Sequence, residues 1–295
     1  MKITFMGTSA GEGYPGFFCD CEYCTYARKH GGRNLRLNTS TLIDDDTMLD
    51  MNDGTPVTAA ALGYSLTRVK RLLVTHFHDD HISPRVLQWR ANGGTDENVL
   101  AALNEEARLE YVSARFTKVD PIDIYGNRNT RHGFMREHPE FFDEPDKHKI
   151  RFHEIIEGQC YQSGDIEFIP VRANHVSRGF AHSYILKRNG KTLLYALDTG
   201  GYDEDMMTLL HAQRYDAMIM EGTFGAAHTG GDHHMNLWKN IAFRDDMKAQ
   251  GCISDETPFY LTHMAPHWTP PYDLYKDIAG EKGFIVAYDG MQVEI

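Results

Sequence analysis

Long apolar runs are missing from this sequence: no window approaches the roughly 18 uncharged residues that a membrane-spanning helix needs. The expectation is a chain that does not cross a membrane. Its N-terminus carries one lysine and a short apolar stretch before the first glycines. A secretion signal would need a longer apolar segment and a small-residue cleavage site, so a cytoplasmic location is expected. Positive charge is also in short supply. The 30 Lys and Arg face 42 Asp and Glu, a formal net charge of −12 that repels extended nucleic acid at long range. A small phosphorylated substrate is not excluded, because bound cations invert a local potential. Only five cysteines occur, and an odd number in such a chain argues against a disulfide framework.

What is present is the balance of an ordinary folded protein, 41% hydrophobic and 24% charged over 295 residues. Residues 2–6 read as an opening strand that runs into a glycine-rich loop, 7–16. Residues 39–43 and 47–51 read as a hairpin around three aspartates, 57–64 as a helix and 69–75 as a strand. Helix formers dominate 83–118, 121–125 reads as a strand, and the polar stretch 126–149 as loop or insertion. Further strands are expected at 166–172, 182–187, 191–197, 217–221 and 259–262, with helices at 203–212, 236–248 and 271–280. Strands interleaved with helices in two halves predict two sheets packed face to face between helices. One domain over 1–295 is expected, with a helical or loop insertion around 83–150.

The chemistry is concentrated in His76-Phe77-His78-Asp79-Asp80-His81, just past the strand at 69–75. Alternate residues of an extended segment point the same way, so His76 and His78 can share one cation while Asp80 and His81 face a second. Each catalytic cation wants about three protein ligands plus water, and this run supplies four for two ions. The remainder must come from distant strand ends. His175, Asp198 and His263 each follow a β-prone run closely. A second cluster is Cys19-x-Cys21-x2-Cys24, whose spacing suits three thiolates on one structural zinc, with His267 as the fourth ligand. Cys160 and Cys252 read as structural, and Arg33, Arg36, Arg128 and Arg131 as solvated surface.

HFHDDH, His175 in RANHVS, Asp198 in ALDTG and His263 in LTHM follow the motif order of metallo-β-lactamase-fold hydrolases, which the chain resembles over its whole length. The opening GTSAGEGYPGFFCDCEYC, the HHMNLW segment and the closing YDGM resemble the PhnP-type cyclic phosphodiesterases, with the PqqB-like proteins as relatives. The resemblance implies an αββα sandwich, two mixed β-sheets flanked by helices. It implies His76, His78 and His175 on one metal, Asp80, His81 and His263 on the other, and Asp198 bridging them. The expected cofactors are two divalent ions, zinc or manganese with iron as a further candidate, plus one structural zinc. HHMNLW resembles the family segment that carries the general acid, which makes His234 the candidate, ahead of His233 and His228. Asp80 and His234 are thus the expected catalytic residues. The pattern around His267 departs from the PhnP type by one residue. Relatives also suggest a homodimer.

A cation pair would ionise water near neutral pH and stabilise the charge of an in-line transition state. The leading expectation is a phosphodiesterase for a small, or cyclic, phosphodiester. The alternatives are a hydrolase of thioesters, lactones or lactams, a tRNA 3′-processing nuclease, and a PqqB-like accessory or carrier protein without turnover.

Overall fold

The computed structural model describes residues 1–90, 101–113, 119–227 and 232–295. Among these the strands form two sheets. The first is built from β1 (Lys2–Gly7), β2 (Ser40–Ile43), β3 (Thr47–Leu49), β4 (Arg71–Leu73), β5 (Ile122–Gly126) and β6 (Ile150–Glu154). The second holds β7 (Tyr161–Ser163), β8 (Ile166–Ala173), β9 (Ala181–Arg188), β10 (Lys191–Ala196), β11 (Ala217–Glu221), β12 (Phe259–Thr262) and β13 (Ile285–Val286). The chain ends by returning β14 (Gln292–Glu294) to the first sheet, so the orders are β14-β1-β2-β3-β4-β5-β6 and β13-β12-β11-β10-β9-β8-β7. Both sheets are mixed: β3 to β6 and β10 to β13 pair in parallel, the other neighbours antiparallel. The αββα architecture expected from the sequence is the one observed.

The period-2 alternation of each strand explains the layers. On β10 and just beyond it, Leu193, Tyr195 and Leu197 enter the core between the sheets, where Ile3, Phe5, Leu49, Leu73 and Tyr184 also lie. Leu194 and Ala196 point the other way, onto Met206, Leu210, Phe243 and Met247 of the covering helices. Across the molecule Met48, Leu72 and Ile124 bury the outer face of the first sheet under Ala59, Leu87 and Phe134. No helix among the described residues is long and apolar enough to cross a membrane.

Three expectations change. The stretch 126–149 is largely helical: Arg128–Glu137 is capped by Asn127, whose side chain accepts from the Thr130 N–H at 2.8 Å. Its apolar residues are too sparse for periodicity to reveal it, yet Phe134 is fully buried. Gly133 lies against Phe77 of the histidine run, where a Cβ would come within 2.3 Å of the ring. The helical reading of 83–118 breaks into Pro84–Leu87 and Glu105–Ser113, and its parts at 91–100 and 114–118 lie outside the described residues. Arg36 is buried rather than solvated, donating to Thr8 Oγ1 at 2.8 Å and to the Ala287 carbonyl at 2.7 Å.

Candidate metal centre

The loops that leave the strand ends meet at one edge of the sandwich. From the first sheet, β4 leads into His76–His81. From the second, β8 delivers His175, β10 delivers Asp198 and β12 delivers His263. The His81 and Ile82 N–H groups both bond to the His78 carbonyl, at 3.0 and 2.9 Å. The chain therefore turns after His78, which separates Asp80 and His81 from the first two histidines. His76, His78, His175 and Asp198 each present one donor atom, all within 4.8 Å of one another, and Asp80, His81 and His263 form a second such group. Asp198 joins the two. Its Oδ2 lies 3.3 Å from His76 Nε2 and from His81 Nε2, and its Oδ1 lies 2.9 Å from His263 Nε2.

The outer nitrogens of these rings are held by residues that the sequence reading did not single out. Asp50 Oδ2 takes His81 Nδ1 at 2.8 Å. The Asp50 carboxylate also receives the Thr75 N–H at 2.7 Å, and Thr75 Oγ1 lies 3.1 Å from His76 Nδ1. On the other side, Thr223 Oγ1 lies 2.8 Å from His263 Nδ1 and donates to Glu221 Oε2. His175 Nδ1 meets the His233 carbonyl at 3.3 Å. Each such partner can accept a hydrogen bond from the outer nitrogen, which keeps a proton there and turns the inner nitrogen toward the shared centre, where a cation would take its lone pair. Asp50 and Glu221 are both fully buried. Their signal was available, since one follows β3 directly and the other ends β11, the rule that singled out Asp198.

The electrostatics call for positive charge between the carboxylates. Burial pushes His76 down to about 3, with the charge of His81 adding to it. For His263 burial acts in the same sense, but Asp198 and Asp80 overcome it and raise the ring to about 10. Asp198 is held well below the usual carboxylate range, against its burial, by His263 and His81. Its Oδ1 is buried and makes no well-directed hydrogen bond, although His263 Nε2 lies 2.9 Å away. Mixed imidazole and carboxylate donors, a buried carboxylate oxygen without a well-directed hydrogen bond and locked tautomers all fit divalent cations such as zinc or manganese.

His234 stands beside this centre. Its Nδ1 lies 3.0 Å from Glu221 Oε2, and its ring is 5.9 Å from that of His263 and 4.9 Å from that of His175. Burial lowers its pKa, but the Glu221 charge and hydrogen bond outweigh this and raise it. With Nδ1 occupied, Nε2 is left for proton transfer. His233 meets His175 through its carbonyl and through an edge-to-face ring contact at 6.3 Å. His228 lies outside the described residues. Phe180 closes the opposite flank, its ring 5.0 Å from His78 and 5.6 Å from His76.

The thiol cluster is also assembled. Cys19, Cys21, Cys24 and His267 offer donor atoms within 4.8 Å of one another, with Cys19 Sγ 3.6 Å from His267 Nδ1. His267 Nε2 lies 2.7 Å from Glu12 Oε2, the carboxylate–histidine arrangement that orients a ring toward a metal. Burial opposes it, but the Cys24 backbone N–H and the neighbouring Cys19 and Cys24 thiols bring Cys21 down to about 7. Burial raises Cys24 to about 12. The same N-terminal loop reaches the metal centre. Ala10 N donates to the Met264 carbonyl at 3.1 Å and Met264 N to the Thr8 carbonyl at 3.0 Å, beside His263.

Comparison with known proteins agrees with this geometry. The Beta-lactamase superfamily domain family matches residues 42–264, and no curated protein matches the chain. Among solved structures, zinc-bound PqqB from Methylobacterium extorquens is similar at 15% identity, with a TM-score of 0.71 and 100% of each chain covered. A diphosphatase of the PhnP family is similar at 18% identity and TM-score 0.69, over 100% of this chain and 96% of that one. The short form of human tRNase Z gives 15% identity and TM-score 0.62, over 100% and 99%. At such identities the likeness is one of fold.

Proposed function

Because the chain belongs to the β-lactamase superfamily, we propose that it is a metal-dependent hydrolase that cleaves a small phosphodiester, cyclic ones included. The observation that carries this reading is the division of seven donors into two groups joined by the two oxygens of Asp198. His76, His78 and His175 would hold one divalent cation, Asp80, His81 and His263 the other, and Asp198 would bridge them. Bound there, a cation pair supplies ionised water near neutral pH and neutralises non-bridging phosphate oxygens. A carboxylate-containing donor set suits phosphate better than an all-His or thiolate set would.

The protein's own residues do the rest. Asp50, Thr75, Thr223 and Glu221 fix the ring orientations, so little reorganisation is needed when substrate arrives. Glu221 keeps His234 protonated on Nδ1 and raises its basicity, so that Nε2 can hand a proton to the departing alkoxide. Phe180 shields three imidazoles from water. Cys19, Cys21, Cys24 and His267 would hold a structural zinc that pins the loop bonded to Met264. The net charge of −12 supports a small substrate over extended nucleic acid.

The test is hydrolysis of bis(p-nitrophenyl) phosphate with added Zn²⁺ or Mn²⁺. Asp80→Ala is expected to lower kcat/KM roughly a thousandfold. Activity surviving that change would overturn the two-cation reading. Failure of the loaded protein to cleave any ester would favour a carrier role instead.

A further inference from the structure

Next to His234 the protein presents aromatic surface that the proton-transfer role does not use. The Phe224 ring stands 5.7 Å from the His234 ring at 82°, and the Trp268 ring stands 5.5 Å from Phe224 at 84°. The three rings form a wall that leads from the proton donor to solvent. Trp268 is 46% exposed. Among the described residues, Phe224 is the aromatic ring in contact with it, and none of the cation–ring pairs involves it. The exposed face of the indole can take a further flat ring.

The wall is held in place rather than left to chance. Thr269 Oγ1 donates toward the carbonyls of Gly222 and Thr223, at 3.2 and 3.1 Å. Gly225 has φ of 48°, and a Cβ there would come within 2.9 Å of Thr269 Cα and 3.0 Å of the Trp268 carbonyl. The loop carrying Trp268 is thus fastened to Glu221–Thr223, the segment that orients His234 and His263. A leaving group that takes its proton from His234 comes close to Phe224, whose ring packs against that histidine.

Resting on the phosphodiesterase reading, we infer that Trp268 and Phe224 are specificity-determining residues that stack the flat ring of a nucleoside in the leaving group. Phosphate would sit at the donor cluster and the base against Trp268. Every nucleobase has a flat face to lay on the indole, which ribose alone lacks.

The test is calorimetric titration of the metal-loaded protein with adenosine 5′-monophosphate and with ribose 5-phosphate, the same sugar phosphate with and without the flat ring. AMP is expected to bind about 10-fold more tightly, and Trp268→Leu, which keeps apolar bulk, to erase the difference while ribose 5-phosphate binds as before. Equal affinities in the unaltered protein, a parallel loss of both in the variant, or no binding of AMP at millimolar concentration would each overturn the inference. Hydrolysis of bis(p-nitrophenyl) phosphate by the same preparation separates the two readings. Hydrolysis without an AMP preference removes the stacking wall alone, and an AMP preference without hydrolysis removes the hydrolase alone.

Discussion

The two donor clusters are built in opposite ways. The thiol cluster is local: three of its four donors lie within six residues of sequence, Cys19 to Cys24, and the His267 side chain is 37% exposed. The histidine–carboxylate cluster draws on four strand ends from two sheets, and His76, His81, Asp198 and His263 are all buried. Its rings are held from behind by Asp50, Thr75, Thr223 and Glu221, whereas among the described residues His267 has Glu12 alone. A loop of thiols acquires its shape from its ion, while a centre at the seam of a finished fold is shaped before any ion arrives.

That contrast can be broken by experiment. Of the changes that separate the two clusters, Glu221→Gln is expected to have the largest effect: it leaves the volume intact but removes the charge shared by His234 and, through Thr223, His263. A fall in kcat/KM of about 10–100-fold is expected, with thiol-bound zinc unchanged. Equal loss of metal from both clusters would show that the thiol loop is not autonomous. Next is Cys21→Ser. Metal analysis is expected to drop from about three ions per chain to about two, with ester hydrolysis retained within about 10-fold. Loss of all three ions would mean that the buried centre is not shaped in advance. The smallest effect is expected from Gly133→Ala, whose methyl must displace Phe77 in the histidine run. A cost of about 1–3 kcal/mol in denaturant unfolding is expected, with weaker metal binding at the histidine centre and unchanged binding at the thiols.

The legibility of the two clusters follows from the same contrast. Cys19, Cys21 and Cys24 declare themselves by spacing, as do His76, His78, Asp80 and His81. His175, Asp198 and His263 could be proposed because each follows a strand and together they match a family order. Asp50 and Glu221 stand at strand ends as Asp198 does, but they have no place in the family's motif order, which is what set Asp198 apart. Their function exists only once the sheets have docked. The helix Arg128–Glu137 was missed for a related reason: its burial rests on Gly133 and Phe134 meeting partners far away in sequence, not on a repeating apolar face. Nor did the sequence mark Asp198 and His263 as left-handed, at φ of 44° and 59°, a region that aspartate and histidine enter more often than most residues.

One arrangement reaches past catalysis. His76–His81 hang from one sheet, while His175, Asp198 and His263 hang from the other. Ions gripped by both sets would act as rivets through the two halves of the molecule. Ligand binding stabilises only the state that can bind, and here that state requires the halves to be docked. Chelation would therefore loosen the seam first, leaving each sheet's own hydrogen-bonded ladder intact.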